Sequence, residues 1–150
     1  MSILHNLCQF NVPMEELLNI YILYIRSVLE QSAVVWYSSI TKGEQLEIER
    51  VQKCALRIIL KEDYTSYQSA LKSCGFVTLK ARRTQLCLTY ARKCVKYEKT
   101  EDIFPLNKNR DTARWHERYQ VTPAHTNRLA NSAIPYMQRL LNAYEKQKRK

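Results

Sequence analysis

Thr41-Lys42-Gly43-Glu44 opens a helix that can do little but pack on other helices. The Thr41 hydroxyl can cap it, and Glu44, three residues on, can reach back to the Thr41 backbone N–H, which makes a capping box. From there Ile48, Val51, Ala55, Ile58 and Ile59 recur at helical spacing and form one apolar stripe, while Glu47, Glu49, Arg50, Lys53 and Arg57 mostly take the other faces. Glu49 and Lys53 stand in the favourable i,i+4 order. So regular a stripe needs partner helices, and the flanking chain offers them.

Residues 1–12 read as an irregular lead-in before Pro13. A first long helix is expected from Met14 to Tyr37, with Leu18, Tyr21, Ile25, Val28, Leu29, Ser32 and Val35 at helical spacing and with Trp36 and Tyr37 closing the core against the capped helix. A short helix over Ser66–Ser73 ends before Gly75, which sits where a left-handed C′ residue belongs. Thr78 can cap a fourth helix to about Tyr97, with Leu79, Leu86, Cys87, Tyr90, Ala91 and Cys94 on its buried side. Arg83 falls on the same stripe and must snorkel or pair. Periodicity then fails from Lys99 to Thr126. A last helix starts near Pro135, with Ile134, Met137, Leu140, Leu141 and Tyr144 as its apolar face, and Lys-Gln-Lys-Arg-Lys closes the chain. The expected fold class is all-α: a small bundle of four to five helices with a long irregular basic segment before the last one. The expected divisions are a helical bundle over 1–98, the irregular segment over 99–133, and a C-terminal helix and tail over 134–150.

Composition narrows the function classes. The 150 residues include 2 Gly and 4 Pro, which suits a mostly helical domain. Residues 1–75 carry 7 basic and 8 acidic side chains, net −1; residues 76–150 carry 17 and 6, net +11. One half can be a neutral packing module and the other can face a polyanion. The five cysteines form no C-x-x-C and read as free thiols in a reducing, intracellular setting, cytoplasmic or nuclear. Cys54, Cys87 and Cys94 fall in helices, where cysteine acts as a small buried apolar group. Cys87 and Cys94 with His116 and His125 match no standard zinc spacing, so neither a metal nor a cofactor is expected. No secretory signal is read at the N-terminus, and the apolar run Leu17–Val35 is too broken by Asn19, Arg26, Glu30 and Gln31 to span a membrane.

Several stretches carry a resemblance. I-E-R-V-Q-K-C-A-L-R-I-I after an aromatic-ended helix, Tyr67 and Leu71 followed by C-G-F-V-T-L-K-A-R-R (Cys74–Arg83), Phe104-Pro105, and N-S-A-I-P-Y-M-Q-R-L-L-N (Asn131–Asn142) resemble the region after the polymerase core of LINE-type, non-long-terminal-repeat retrotransposon reverse transcriptases. The similarity runs over about residues 15–145. The resemblance implies a thumb, a small helical bundle that grips the template–primer duplex, and the C-terminal segment beyond it. Polymerase chemistry needs carboxylates that hold two metal ions, placed in this family in an aromatic-Ala-Asp-Asp motif. The sequence contains no such motif, no phosphate-binding glycine loop and no recognisable nucleophile motif. The chain therefore reads as a catalytically silent fragment of an RNA-directed DNA polymerase family, not as an enzyme.

Two clusters are candidates for nucleic-acid contact. Lys80, Arg82, Arg92, Lys93 and Lys96 lie in or beside the fourth helix and suit backbone phosphates. Arg110, Arg114, Trp115, Arg118, Tyr119 and Arg128 mix cations with aromatics, a combination that suits single strands through charge and stacking together; the bland reading of that stretch is a solvated loop. Nucleic acid, RNA or an RNA–DNA duplex, is the expected partner. No membrane and no small-molecule substrate are expected. The alternatives are a basic helical module that meets an acidic protein, and a remnant reading frame without a selected function.

Overall fold

The structure, a computed structural model, describes residues 2–97, 100–107 and 117–148. Among these the chain is all-α, as expected. Its only β-type pairing there is an isolated antiparallel bridge between Leu106 and Tyr119. The chain forms two compact units. The first joins Met1–Gln31 to Thr41–Arg83, and the second joins Ser32–Ile40 to Thr84–Lys150.

In the first unit, α1 (Ser2–Gln9) replaces the irregular lead-in expected from sequence. Leu4 and Cys8, four residues apart on α1, are almost wholly buried. Next comes α2 (Met14–Ile20), which widens into a π-helical stretch over Tyr21–Arg26 before α3 (Ser27–Glu30). The core residues here recur every fourth position: Leu17 and Tyr21 are buried, Ile25 and Leu29 half-buried. A spacing of four drifts one way around a 3.6-residue turn and the other way around the wider π turn, so mixing the two keeps all four on one side.

The long helix expected to reach Tyr37 stops at Glu30. Gln31 (φ −55°, ψ 124°) and Ser32 (φ 53°, ψ 23°) take the two central conformations of a type II turn. Val28 and Val35, expected on the buried stripe, are 66 % and 68 % exposed, so nothing apolar rewards continuing the helix. Trp36 and Tyr37 do not close the core against the capped helix; they belong to the second unit.

The capped helix α5 (Lys42–Leu60) has the predicted start. Thr41 N–H donates to Glu44 Oε2 at 2.7 Å, and Glu44 N–H donates to Thr41 Oγ1 at 3.2 Å. Its buried face is turned from the predicted one: Gln52, Ala55, Leu56, Ile59 and Leu60 are inside, while Ile48, Val51 and Ile58 are half-buried. Ala55 and Ile59 pack with Leu4, Cys8, Leu17 and Tyr21. Leu56 and Leu60 pack with Ala70 and Leu71 of α6 (Tyr67–Ser73). The helix α6 closes in a Schellman motif, with Phe76 N–H donating to the Leu71 carbonyl at 2.8 Å and Gly75 at φ +65°.

Gln52, 1 % exposed, is the reason for the turned face. Its Oε1 accepts from Tyr21 Oη at 2.8 Å, and its Nε2 donates to Tyr67 Oη at 2.9 Å and to the Val77 carbonyl at 3.0 Å. Glu49 turns to other segments rather than to Lys53, the i,i+4 partner expected from sequence. Its carboxylate accepts from the Tyr67 hydroxyl and from the N–H groups of Leu79 (3.1 Å) and Lys80 (3.3 Å), which caps α7 (Leu79–Cys94) beside the Thr78 hydroxyl.

In the second unit, α4 (Ala33–Trp36), the later part of α7 and α9 (Ala133–Lys148) surround one core of Tyr37, Cys87, Ala91, Phe104, Tyr119, Met137 and Leu141, and the short α8 (Asn127–Ala130) precedes α9 with no buried residue. Tyr37 meets Tyr136 edge-on at 6.0 Å. Tyr90 and Ile134, expected inside, are 50 % and 41 % exposed. The cysteines are unbridged; Cys87 is buried, Cys94 half-buried and Cys54 exposed, so the buried-cysteine expectation fails for Cys54.

Candidate nucleic-acid interface

Charge separates the two units. By sequence the first holds 10 basic and 8 acidic side chains, 10 − 8 = +2; the second holds 14 and 6, 14 − 6 = +8. The second unit is therefore where a polyanion surface has to be sought.

The end of α7 supplies its first cations. Arg92, Lys93 and Lys96 are exposed, and Arg92 places its guanidinium 4.7 Å from the Tyr144 ring centre on α9. That contact lies within cation–π range and steadies a side chain that would otherwise be mobile. Exposed Lys146 and Lys148 follow in the last turn of α9. Sequence reading places them in a solvated tail; the helix extends through both. Arg128 is exposed on α8. Arg139, also exposed, donates to the Ala130 carbonyl at 2.6 Å and ties α8 to α9.

Other candidates are engaged elsewhere. In the first unit, Arg82 forms an ion pair with Glu30, whose side chain is only 12 % exposed. Arg83 is 1 % exposed and donates from Nη2 to the Leu29 carbonyl at 3.4 Å, so it lies inside the first unit and not on a surface open to a ligand. Lys80 is exposed. Burial, and the nearby Arg82 charge, lower the pKa of Arg26, which lies 5.3 Å from the Phe76 ring centre.

In the second unit, Arg118 meets Glu145 at 3.4 Å and lies 5.7 Å from the Tyr119 ring centre. Tyr119 itself is 4 % exposed, because its ring is part of the core, so its face is not open to a base. Arg110, Arg114 and Trp115 lie outside the described residues.

Two amides that sequence reasoning passed over hold the irregular segment in place. Asn142 Oδ1 accepts from Tyr119 N–H at 2.9 Å, and its Nδ2 donates to the Tyr119 carbonyl at 2.9 Å. Gln138 Oε1 accepts from Thr122 N–H at 2.7 Å, and its Nε2 donates to the Ile103 carbonyl at 2.7 Å. Both project from the buried side of α9. Their i,i+4 spacing with Leu141 between them was the available signal.

Reactive chemistry is sparse. Burial pushes the Cys87 thiol up to about 11, away from thiolate reactivity. Among the described residues no group of three or more His, Cys, Asp or Glu is placed to hold a metal ion, and no helix is long and apolar enough to cross a membrane. No known protein family, curated protein or solved structure matches the chain.

Proposed function

We propose that the second unit binds the phosphate backbone of nucleic acid, RNA or an RNA–DNA duplex, with little sequence preference, and that the chain is a catalytically silent relative of the thumb and following region of LINE-type reverse transcriptases. The observation that carries the binding reading is the net charge of +8 on the second unit against +2 on the first. Its support is the set of exposed cations on or just after α7, on α8 and on α9: Arg92, Lys93, Lys96, Arg128, Lys146 and Lys148. Contacts of this kind set affinity and salt dependence and leave the base edges unread.

A salt titration tests the reading. Binding to an RNA–DNA hybrid should weaken along a straight log–log line, each neutralised phosphate adding about 0.9 to the slope. Lys93→Ala with Lys96→Ala and Arg128→Ala should flatten the slope by up to about 2.7, three contacts at about 0.9 each. Melting should hardly move, since exposed charges contribute little to stability. Equal binding by the triple variant at every salt concentration overturns the placement. Tight binding to polyglutamate and none to the hybrid favours an acidic protein partner instead.

A further inference from the structure

A cavity of about 650 Å³ opens in the second unit between the end of α7 and the segment around Phe104 and Tyr119. That volume lies within the range of small-molecule sites and accommodates a nucleoside. Its frame is fixed. Thr100 donates its hydroxyl to the carbonyls of Cys94 and Tyr97, the latter at 2.7 Å. Asn107 N–H donates to the Arg118 carbonyl at 3.0 Å, and Gln120 N–H to the Pro105 carbonyl at 2.9 Å. Asn142 and Gln138 pin the same segment from α9.

The lining combines three kinds of surface. Val95, Pro105 and Leu106, with the largely buried Phe104 and Tyr119, give an apolar wall. Glu101 and Asp102 bring exposed carboxylates, which only accept hydrogen bonds. Arg118 brings a guanidinium, which only donates. That guanidinium is not fully engaged: Nη1 reaches Glu145 at 3.4 Å, and the side chain is 40 % exposed. Next in the chain after Val95 of the lining comes exposed Lys96.

We propose that this cavity takes an unstacked guanine base of a single-stranded nucleic acid whose backbone lies on the cations of the second unit. The proposal rests on the phosphate-binding reading above and adds base selection to it. Guanine's Watson–Crick edge carries two adjacent donors, N1–H and the N2 amine, and beside them the O6 acceptor. A carboxylate from Glu101 or Asp102 takes both donors, and the Arg118 guanidinium takes O6. The ring lies on the apolar wall. Adenine offers that edge one donor group, and uracil and cytosine leave more of the wall uncovered. Backbone phosphates next to the base meet the exposed cations of the second unit.

The experiment uses the full chain and two probes. Guanosine and uridine, which lack phosphate, test the cavity alone by equilibrium dialysis. A uridine 12-mer with a central guanosine or a central abasic site tests cavity and backbone together. Guanosine should bind about tenfold tighter than uridine, the discrimination of one good bidentate contact. The guanosine-containing 12-mer should beat the abasic one by a similar factor.

In Glu101→Ala with Asp102→Ala, both preferences should vanish while abasic 12-mer binding stays equal or tightens, because two negative charges have left. A damaged fold would weaken every ligand together, so the opposite movements identify the base contact. Equal binding of guanosine and uridine, or of the two 12-mers, overturns the cavity assignment. A guanosine preference retained in the double variant overturns it too. Failure of the backbone reading is separate: it is the absence of salt-dependent binding to either 12-mer, while the guanosine arm still decides the cavity.

Discussion

Asn142→Leu is the sharpest probe of how α9 organises the second unit. The side chain is 8 % exposed and makes both hydrogen bonds of the Tyr119 backbone, each 2.9 Å long. Leucine keeps the volume but leaves a buried N–H and a buried carbonyl without partners. Each stranded group costs about 1–3 kcal/mol, so the variant should lose about 2–6 kcal/mol. That is a large share of a domain stability of about 5–15 kcal/mol. Urea denaturation followed by circular dichroism measures the loss, and amide hydrogen exchange at Tyr119 locates it. Asn142→Asp should do no better than leucine: it keeps an acceptor for the N–H but sets a carboxylate oxygen against the Tyr119 carbonyl. A leucine variant within about 0.5 kcal/mol of the parent, the range of an ordinary surface change, refutes the reasoning.

Two further outcomes follow from the first unit. Ile59→Asp buries an unpaired carboxylate at a 4 % exposed site and should cost several kcal/mol, whereas Val51→Asp, half-buried, lets the carboxylate reach water; equal urea midpoints would show that the buried face of α5 is misplaced. The Thr41 backbone N–H, and then its hydroxyl, hold the Glu44 carboxyl below its ordinary value of 4.5. A group lowered on folding stabilises fully above its unfolded pKa and loses that contribution as pH falls through the lowered folded value. The stability gap between the parent and Glu44→Gln should therefore be flat above pH 4.5 and shrink below it, and a gap that does not change on acidification counts against the capping box.

Local chemistry was legible and long-range geometry was not. The capping box at Thr41, the positive φ at Gly75 and the Thr78 cap of α7 were all readable, because each depends on residues within a few positions. The faces of α5 and α9 were not. Hydropathy counts Gln52, Gln138 and Asn142 as outward, yet each is buried because its amide satisfies groups from other segments. The break at Gln31-Ser32 was hidden for a related reason. The apolar spacing continues through it, and only the location of two cores shows that Tyr21 and Tyr37 bury in different ones.

The same limit governs the cations. A sequence shows that Arg82, Lys93, Lys96 and Arg118 are basic; it does not show which carboxylate each one meets. Arg82 finds Glu30, fifty-two residues away, and Arg118 finds Glu145, twenty-seven away. Lys93 is exposed at the end, and Lys96 just beyond the end, of a helix that carries no acidic residue at all from Leu79 to Cys94. An acid-free helix cannot neutralise its own cations, so its charge projects outward unless another segment supplies a carboxylate. For a phosphate surface the informative pattern is therefore the lack of acids over several turns more than the number of lysines and arginines. By that measure the later part of α7 outranks the Arg110–Arg128 stretch, where Asp111 and Glu117 interleave with the arginines.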